Sequence, residues 1–472
     1  MRNDGRRRVA SERAYAEARS RASAITASTP VQRAAVHSTA PLTRGALTGY
    51  RQSDSGPLGP PTLEGTLELE ISAGNGRVVP WAGRIARMAP VADVPEIRGS
   101  CDERFAGVRS ALARNFRDHG EVGAAVAITI EGRLVVDLWA GWADRIRTRP
   151  WQRDTLVNVF SVGKAMAALS LLVLVERGQV DLDAPAARYW PEFAARGKSE
   201  VTVHMLLCHR AGLPAIRRSL PRFAMYDWEL MTSALAAEEP WWEPGRTHGY
   251  HVNTFGFLIG EIVRRVSGEN IGAFFRREVA APLGADFHFG IGPEHDQRIA
   301  DYLFGDEPPE MVDDDDERKF LLRHVYLNPP GLSGFGTVNT RAWRAAEMPS
   351  TNGHASARAV ARIYSVLACG GAIDGVRLLR TETIERAIAE ASSGPDLVLR
   401  RPSRFGLGFQ LTQPERPLGT NPRSFGHFGA GGSLGFADPD EQLAFAYTMN
   451  QPGPRWQNPR NRGLIDAVYA SL

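Results

Sequence analysis

Phe160-Ser161-Val162-Gly163-Lys164-Ala165-Met166-Ala167-Ala168-Leu169 places one of only three lysines of a 472-residue chain inside an otherwise apolar helical run. Nearly all other positive charge is carried by arginine. An ammonium can lose its proton when desolvated, whereas a guanidinium effectively cannot. Lys164 is therefore a candidate base. Ser161 stands one helical turn earlier, on the same face and about 5 to 6 Å away. A serine hydroxyl is a poor nucleophile without a nearby base, and the first turn of a helix offers N–H groups that favour developing negative charge. Ser161 is the candidate nucleophile. As a bare pattern Ser-x-x-Lys is short, and three lysines give a chance match in about one chain of five. The alternative is a helix-capping serine followed by a lysine whose stem lies along apolar surface.

Composition narrows the choice of function. A net charge of +3, with 23% charged and 43% hydrophobic residues, describes a globular chain long enough for one large domain or two smaller ones. The arginines are dispersed rather than gathered into a basic stripe with interleaved aromatics, so a nucleic-acid partner has no support. Cys101, Cys208 and Cys369 are far apart and lack metal or redox spacing, which argues against a disulfide-stapled secreted domain. No apolar run reaches about 18 residues and the N-terminus shows no signal-peptide core. The expectation is a cytoplasmic protein without membrane insertion. Oligomeric state stays open.

Residues 1–100 are rich in Ser, Thr, Ala, Gly and Pro without sustained periodicity. They read as a poorly ordered extension, with a short strand or helix near Leu67 to Ile71 or Trp81 to Met88. A folded domain is expected over 101–472. Phe105, Val108, Leu112 and Phe116 recur at helical spacing, followed by apolar runs Val122 to Ile130 and Leu134 to Trp139 joined at Glu131-Gly132 as a hairpin. The helix after Ser161 should run to Glu176 and stop at Gly178, and since it is apolar almost all round from Met166 to Val175 it should be a central helix packed on both sides. Segments from about 180 to 350 read as a mainly helical subdomain, including Thr202 to His209 and Phe255 to Val266. Strand signals return at Phe405 to Phe409, Gly426 to Phe436 and Leu443 to Met449. Both ends of the domain should then build one antiparallel sheet, an α+β architecture. The acidic run Asp313 to Glu317 reads as a solvated loop, with a substrate-facing lid as the alternative.

Several segments in order resemble the serine β-lactamase and penicillin-binding-protein superfamily, most closely its class C-like esterase branch, the family VIII carboxylesterases. They are Asp137-Leu138-Trp139-Ala140-Gly141-Trp142-Ala143-Asp144, Asp154-Thr155-Leu156-Val157-Asn158-Val159-Phe160-Ser161, Leu206-Leu207-Cys208-His209-Arg210-Ala211-Gly212-Leu213-Pro214, Glu243-Pro244-Gly245-Arg246-Thr247-His248-Gly249-Tyr250-His251, Asn352-Gly353-His354 and Gly426-His427-Phe428-Gly429-Ala430-Gly431-Gly432. The resemblance spans roughly residues 103 to 470 and implies a β-lactamase-like fold. It implies that Tyr250 opens the second motif, often Tyr-x-Asn, although Val252 stands where asparagine is common and Asn253 comes one place later. It also implies that His427-Phe428-Gly429 replaces the usual Lys-Thr-Gly. A neutral histidine there does not supply the fixed cation that suits a substrate carboxylate, but it can hydrogen-bond near an ester leaving group and support Tyr250. Gly429 and the glycines after it are expected to let substrate lie against the strand backbone.

The implied reaction is ester cleavage through an acyl-enzyme on Ser161, with Lys164 and Tyr250 as a coupled base and Tyr250, aided by His427, protonating the leaving alcohol. The N–H groups of Ser161 and Ala430 would form the oxyanion hole. Asn253 is a candidate for a substrate amide. No metal or organic cofactor is implied, and the partner is a small-molecule ester. A β-lactamase or D-Ala peptidase and a non-catalytic scaffold of the same fold are the other readings. Which of Lys164 and Tyr250 takes the first proton stays open.

Overall fold

The computed structural model describes residues 94–305 and 316–472, together with two short paired strands, Ile71–Ala73 and Arg77–Val79. All of these fall within the unit Glu64–Leu472. Of the N-terminal extension, residues 1–70, 74–76 and 80–93 lie outside the described residues, including the segment Trp81 to Met88. Asp313 to Asp315 of the acidic run lie outside them too.

Strand β1 (Arg98–Cys101) precedes helix α1 (Ala106–Asp118), which buries Val108, Leu112 and Phe116 at the anticipated spacing. Strands β2 (Gly123–Ile130) and β3 (Arg133–Gly141) form the anticipated hairpin. Its two turn residues, Glu131 and Gly132, have φ of 50° and 79°, the left-handed pair that a two-residue turn between twisted strands requires. β4 (Val157–Asn158) leads to α2 (Val162–Glu176). Every residue of α2 from Val162 to Leu174 is buried, as its all-round apolar sequence requires.

The helical middle contains α3 (Trp228–Ala237), α4 (Thr254–Ser267), the short strand β5 (Phe287–His288) and α5 (Asp316–Leu327). Asp316 and Glu317 open the first turn of α5, where negative charge suits the helix dipole. β6 (His354–Ala355) joins β4 and β5 in a small sheet of order β4-β6-β5, and α6 (Ala357–Ala368) follows. The chain then adds β7 (Ser392–Pro395), β8 (Pro402–Phe405), β9 (Gln410–Leu411), β10 (Phe425–Phe428), β11 (Leu434–Asp438), β12 (Leu443–Met449) and α7 (Pro459–Tyr469).

Among the described residues the main sheet has nine antiparallel strands in the order β7-β8-β9-β10-β11-β12-β2-β3-β1. Its closure is the pairing of β12 with β2, from Leu443 opposite Ile130 to Met449 opposite Ala124. The two ends of the domain thus meet at the centre of one sheet. Two local features differ from the sequence reading. Phe405 to Phe409 is largely a bend rather than a strand, because Gly408 takes φ of 82° and turns β8 back onto β9. α7 was not anticipated, although Asn458 caps it and the Asn461 side chain returns a bond to the Asn458 N–H. Its helix-start signal follows no apolar periodic run and is easily read as loop.

A chain beginning at Pro95 retains β1 and is expected to melt at the full-length midpoint. One beginning at Asp102 loses β1 and uncovers the edge of β3, so its midpoint should fall by a few degrees. Calorimetry on both decides the point. An equal loss in both would show that residues before 95 pack on the domain.

Candidate active site

Ser161 lies at the start of α2, after Phe160, whose φ of 47° is unusual for a bulky residue. Its side chain makes no capping bond to the helix. Instead the Lys164 Nζ lies 3.0 Å from the Ser161 Oγ, 2.6 Å from the carbonyl oxygen of Val252 and 3.1 Å from that of Ser350. Lys164 is wholly buried, and burial alone holds its amine well below the ordinary lysine value.

That set of neighbours fixes the direction of each bond in the neutral state. The carbonyls can only accept, so a neutral amine gives both its N–H groups to Val252 and Ser350 and turns its lone pair to Ser161. Lys198 provides the contrast. It is also buried, but its Nζ donates to three carbonyls, those of Ala195 at 2.7 Å, Ala236 at 3.0 Å and Glu238. Three acceptors match the three N–H groups of an ammonium and leave no lone pair to take up a neighbour's proton. Two of the chain's three lysines are thus buried, one as a fixed support at the end of α3 and one beside a hydroxyl.

Both carbonyls at Lys164 come from distant segments. Val252 lies in the turn leading from Tyr250 into α4. Ser350 is wedged between Gly163 of α2 and Gly256 of α4: a Cβ at either glycine would collide with Pro349 or Ser350. The Gly256 N–H also donates to the Ser350 Oγ at 2.6 Å. Glycine inside a helix costs about 1 kcal/mol relative to alanine, and here it permits the close approach that brings an acceptor to Lys164.

Tyr250 is fully buried, with its ring centre 4.8 Å from the Lys164 Nζ. The ring stacks on Phe405 at 5.7 Å and packs edge-on against Trp456 at 5.4 Å and His209 at 5.0 Å. Among the described residues its hydroxyl makes no hydrogen bond of normal geometry, yet it faces Ser161 closely enough for that group to favour the phenolate. Burial outweighs this and pushes the Tyr250 pKa well above the usual tyrosine value. The backbone of Tyr250 is anchored by Asp396, whose buried Oδ1 accepts the N–H groups of Tyr250 at 3.0 Å, Val398 at 2.9 Å and Leu399 at 2.8 Å. The Asp396 Oδ2 accepts the Ser403 hydroxyl at 2.8 Å, and Ser403 in turn meets the His248 Nε2 at 2.9 Å.

His427, on β10, is buried with its ring centre 6.0 Å from that of Tyr250. Its Nδ1 donates to the Phe428 carbonyl at 2.7 Å, so its Nε2 carries a lone pair, and that atom has no hydrogen-bond partner among the described residues. Burial, reinforced by the charge of Lys164, pulls the His427 pKa down to about 3. The imidazole is therefore neutral and presents an acceptor. The Nδ2 of Asn253 is committed to the Val325 carbonyl at 2.7 Å and the Ser333 Oγ at 3.1 Å, while its buried Oδ1 meets no hydrogen-bond partner among the described residues.

Beyond β10, the Ser433 Oγ donates to the Val159 carbonyl at 3.0 Å and the Gly429 N–H to the Ser433 carbonyl at 2.7 Å. These bonds tie the loop carrying Ala430 to the residues just before Ser161. Neither the Ser161 nor the Ala430 N–H donates to a backbone carbonyl among the described residues. Gly429 has a reason other than the one expected from sequence. A Cβ there would overlap the Ser433 hydroxyl and the Val159 carbonyl, so the protein's own close packing requires glycine.

Ser161, Lys164, Tyr250 and His427 thus converge, and the Ala430 loop is tied to the Ser161 turn. The sequence reading missed Ser350, the Val252 carbonyl and Asp396. Gly163 and Gly256, placed inside helices, were the available signal for the first. Among the described residues no group of His, Cys, Asp and Glu side chains could hold a metal ion, and no helix is long and apolar enough to cross a membrane.

Comparison with known proteins gives a consistent set of relatives. The family model described as Beta-lactamase matches residues 109–470. Esterase/beta-lactamase LipL of Mycobacterium tuberculosis (strain ATCC 25618 / H37Rv) is 36% identical over 366 residues, covering 75% of this chain and 82% of that protein. The crystal structure of a family VIII carboxylesterase superposes with a TM-score of 0.75 at 41% identity, covering 80% of this chain and all of the other. A penicillin-binding protein homologue from Caulobacter crescentus superposes with a TM-score of 0.74 at 39% identity, again over 80% of this chain and all of the other.

The Asp396 anchor yields a stability test. Asp396→Ala leaves the buried N–H groups of Tyr250, Val398 and Leu399 without an acceptor and should cost about 3 kcal/mol in urea unfolding. Asp396→Asn keeps an acceptor oxygen for them and should cost less than half as much. Equal losses in the two variants would show that the carboxylate charge, not the shared acceptor, is what matters.

Proposed function

The chain belongs to the beta-lactamase family, and from that premise we propose that it is a serine carboxylesterase in which Lys164 is the first base and Tyr250 the acid. The named esterases among its relatives support ester hydrolysis. The observation that carries the division of roles is the pairing of Lys164 with two carbonyls and one hydroxyl, in full burial and without a counter-charge.

In this mechanism the Ser161 oxygen attacks the ester carbonyl as its proton passes to the Lys164 lone pair. The carbonyl oxygen becomes an oxyanion, received by the Ser161 and Ala430 N–H groups; such a donor contributes roughly 3 kcal/mol in related chemistry. As the tetrahedral species collapses, the C–O bond to the alcohol breaks. The leaving oxygen takes the Tyr250 proton, and the Lys164 ammonium returns a proton to Tyr250. The Ser161 proton has then reached the alcohol, leaving Ser161 acylated. Water repeats the sequence in reverse and releases the acid. The opposite pKa shifts of Lys164 and Tyr250 suit these roles, since they keep the amine neutral and the phenol protonated at the same pH. The acceptor Nε2 of His427 suits a partner for the Tyr250 hydroxyl better than a donor to the leaving oxygen.

The substrate on this reading is a small-molecule ester. Asn253 is not assigned a substrate contact, because its amide N–H groups are engaged. The cytoplasm is proposed as the compartment, supported by three free cysteines. A neutral His427 in place of a lysine disfavours a carboxylate-bearing β-lactam. Arg401, stacked 4.8 Å from the centre of the Trp456 ring, is close enough for its charge to be felt at Tyr250 and is the alternative cation to consider.

Catalytic efficiency on a short-chain p-nitrophenyl ester should exceed that on a chromogenic cephalosporin by about a hundredfold, or roughly 2.7 kcal/mol of transition-state stabilisation. Ser161→Ala should abolish both turnover and labelling by a fluorophosphonate. Comparable efficiency on the two substrates would favour a β-lactamase instead.

The proton roles predict the pH profile. Activity needs a neutral amine and a protonated phenol, so kcat/KM should rise through one acid limb set by Lys164, well below an ordinary lysine. It should then stay level on the alkaline side, because burial displaces the Tyr250 limb above the ordinary tyrosine value. His427 titrates too low to add a limb in this range. Lys164→Arg, which keeps charge but not the lone pair, should be as inactive as Lys164→Ala. Near-normal turnover by the arginine variant would remove Lys164 as base.

A further inference from the structure

Tyr302 lies between the two parts of the chain that supply the oxyanion donors. It is buried, and its hydroxyl donates to the Ala430 carbonyl at 2.7 Å. Its ring packs edge-on against Phe160, the residue before Ser161, with ring centres 4.8 Å apart. One side chain therefore touches both the Ala430 loop and the turn that carries the nucleophile. We infer that Tyr302 is a positioning residue for the oxyanion hole, holding the Ala430 backbone in register with the Ser161 N–H. This inference rests on Ser161 being the nucleophile of an ester hydrolase.

The loop needs such a hold. Gly429-Ala430-Gly431-Gly432 contains three glycines, whose backbone has few steric limits. Each carbonyl from Gly429 to Ser433 is engaged. Gly429 accepts from the Gly432 N–H at 3.1 Å, Gly431 from the Gly453 N–H at 2.7 Å, Gly432 from the Asn461 Nδ2 at 3.0 Å and Ser433 from the Gly429 N–H at 2.7 Å. The Ala430 carbonyl is the member held by a side chain from the helical middle of the chain. Without it, the peptide plane following Ala430 loses its tie to the Ser161 side of the site.

Tyr302 is itself held in place. The Asn339 side chain accepts its N–H at 2.8 Å and donates to its carbonyl at 2.9 Å. The next residue, Leu303, donates to the Asn450 carbonyl at 2.8 Å, just beyond β12. Phe304 completes an aromatic trio, with ring centres 5.4 Å from Tyr302 and 5.7 Å from Phe160. Burial raises the Tyr302 pKa, so its hydroxyl remains a donor across the working pH range. The ring fixes the Phe160 side of the site, and the hydroxyl fixes the Ala430 side.

The test compares Tyr302→Phe, which keeps the ring and removes the hydroxyl, with the wild type. The probes are a p-nitrophenyl ester and an alkyl boronic acid. The Ser161 oxygen adds to boron as its proton passes to Lys164, giving a tetrahedral anion with one hydroxyl in the hole. In Tyr302→Phe, kcat should fall about tenfold to a hundredfold with KM within about twofold. Boronate affinity should fall by the same factor as kcat, and the acid limb of the pH profile should not move. Asn339→Ala, which loosens Tyr302 from behind, should show the same pattern more weakly and serves if Tyr302→Phe does not fold. Tyr447→Phe removes another buried hydroxyl, the one bonded to Glu121, and should lower the melting midpoint without changing boronate affinity. Unchanged kcat and boronate affinity in Tyr302→Phe, or a loss confined to the melting midpoint as in Tyr447→Phe, would overturn the inference. A wild type that neither hydrolyses the ester nor binds the boronate would overturn the reading of Ser161 instead.

Discussion

The rest of the site depends on the desolvation of one amine. Lys164 has no exposed surface, and burial lowers its pKa without an opposing carboxylate to restore it. Placing a lysine in such surroundings is costly unless its hydrogen bonds are met. Here they are met by the Val252 and Ser350 carbonyls, which orient the amine without holding it charged. The turn into α4, the Ser350 segment and the start of α2 must all close on a single atom, and Gly163 and Gly256 leave room for them to do so.

The same burial has the opposite effect on the phenol. It raises the Tyr250 pKa while it lowers that of Lys164, so one apolar environment favours the neutral amine and the protonated phenol together. His427 is neutral for the same reason. Each group is then aimed by a support outside the reacting atoms: Asp396 gathers the Tyr250 backbone, the Phe428 carbonyl sets the His427 tautomer, and Tyr302 bridges Phe160 and Ala430. These supports are themselves buried hydrogen-bonded groups, where a lost partner costs about 1–3 kcal/mol.

Much of this was legible in the chain. The all-round apolar run after Ser161 predicts a central helix, and α2 is buried from Val162 to Leu174. Apolar runs around Glu131-Gly132 and strand signals again after Gly426 predict a sheet built from both ends, and the β12 to β2 pairing closes it. The spacing of Ser161 and Lys164, with the resemblance that singled out Tyr250 and His427, named side chains that do converge. Phe405 to Phe409 misled because aromatic residues alternating with glycine look like a strand, whereas Gly408 makes the bend. Asn253 was chosen by its position near Tyr250; its Nδ2 is engaged by Val325 and Ser333, which the sequence did not indicate. Gly429 was assigned to substrate access, while its neighbours Ser433 and Val159 require it.

What the sequence determined by itself were the relations set by local periodicity. A helix brings residues three apart onto one face, so Ser161 beside Lys164 follows from their numbers alone, as does the burial of a helix with no polar face. Tertiary structure decided what surrounds that pair. The two carbonyls that orient Lys164 come from residues 88 and 186 positions away, and the Tyr302 hydroxyl reaches across 128 positions to Ala430. Main-chain carbonyls are present at every residue and leave no mark in the sequence. Only the fold determines which of them points at the buried amine, and so whether Lys164 keeps a lone pair for Ser161.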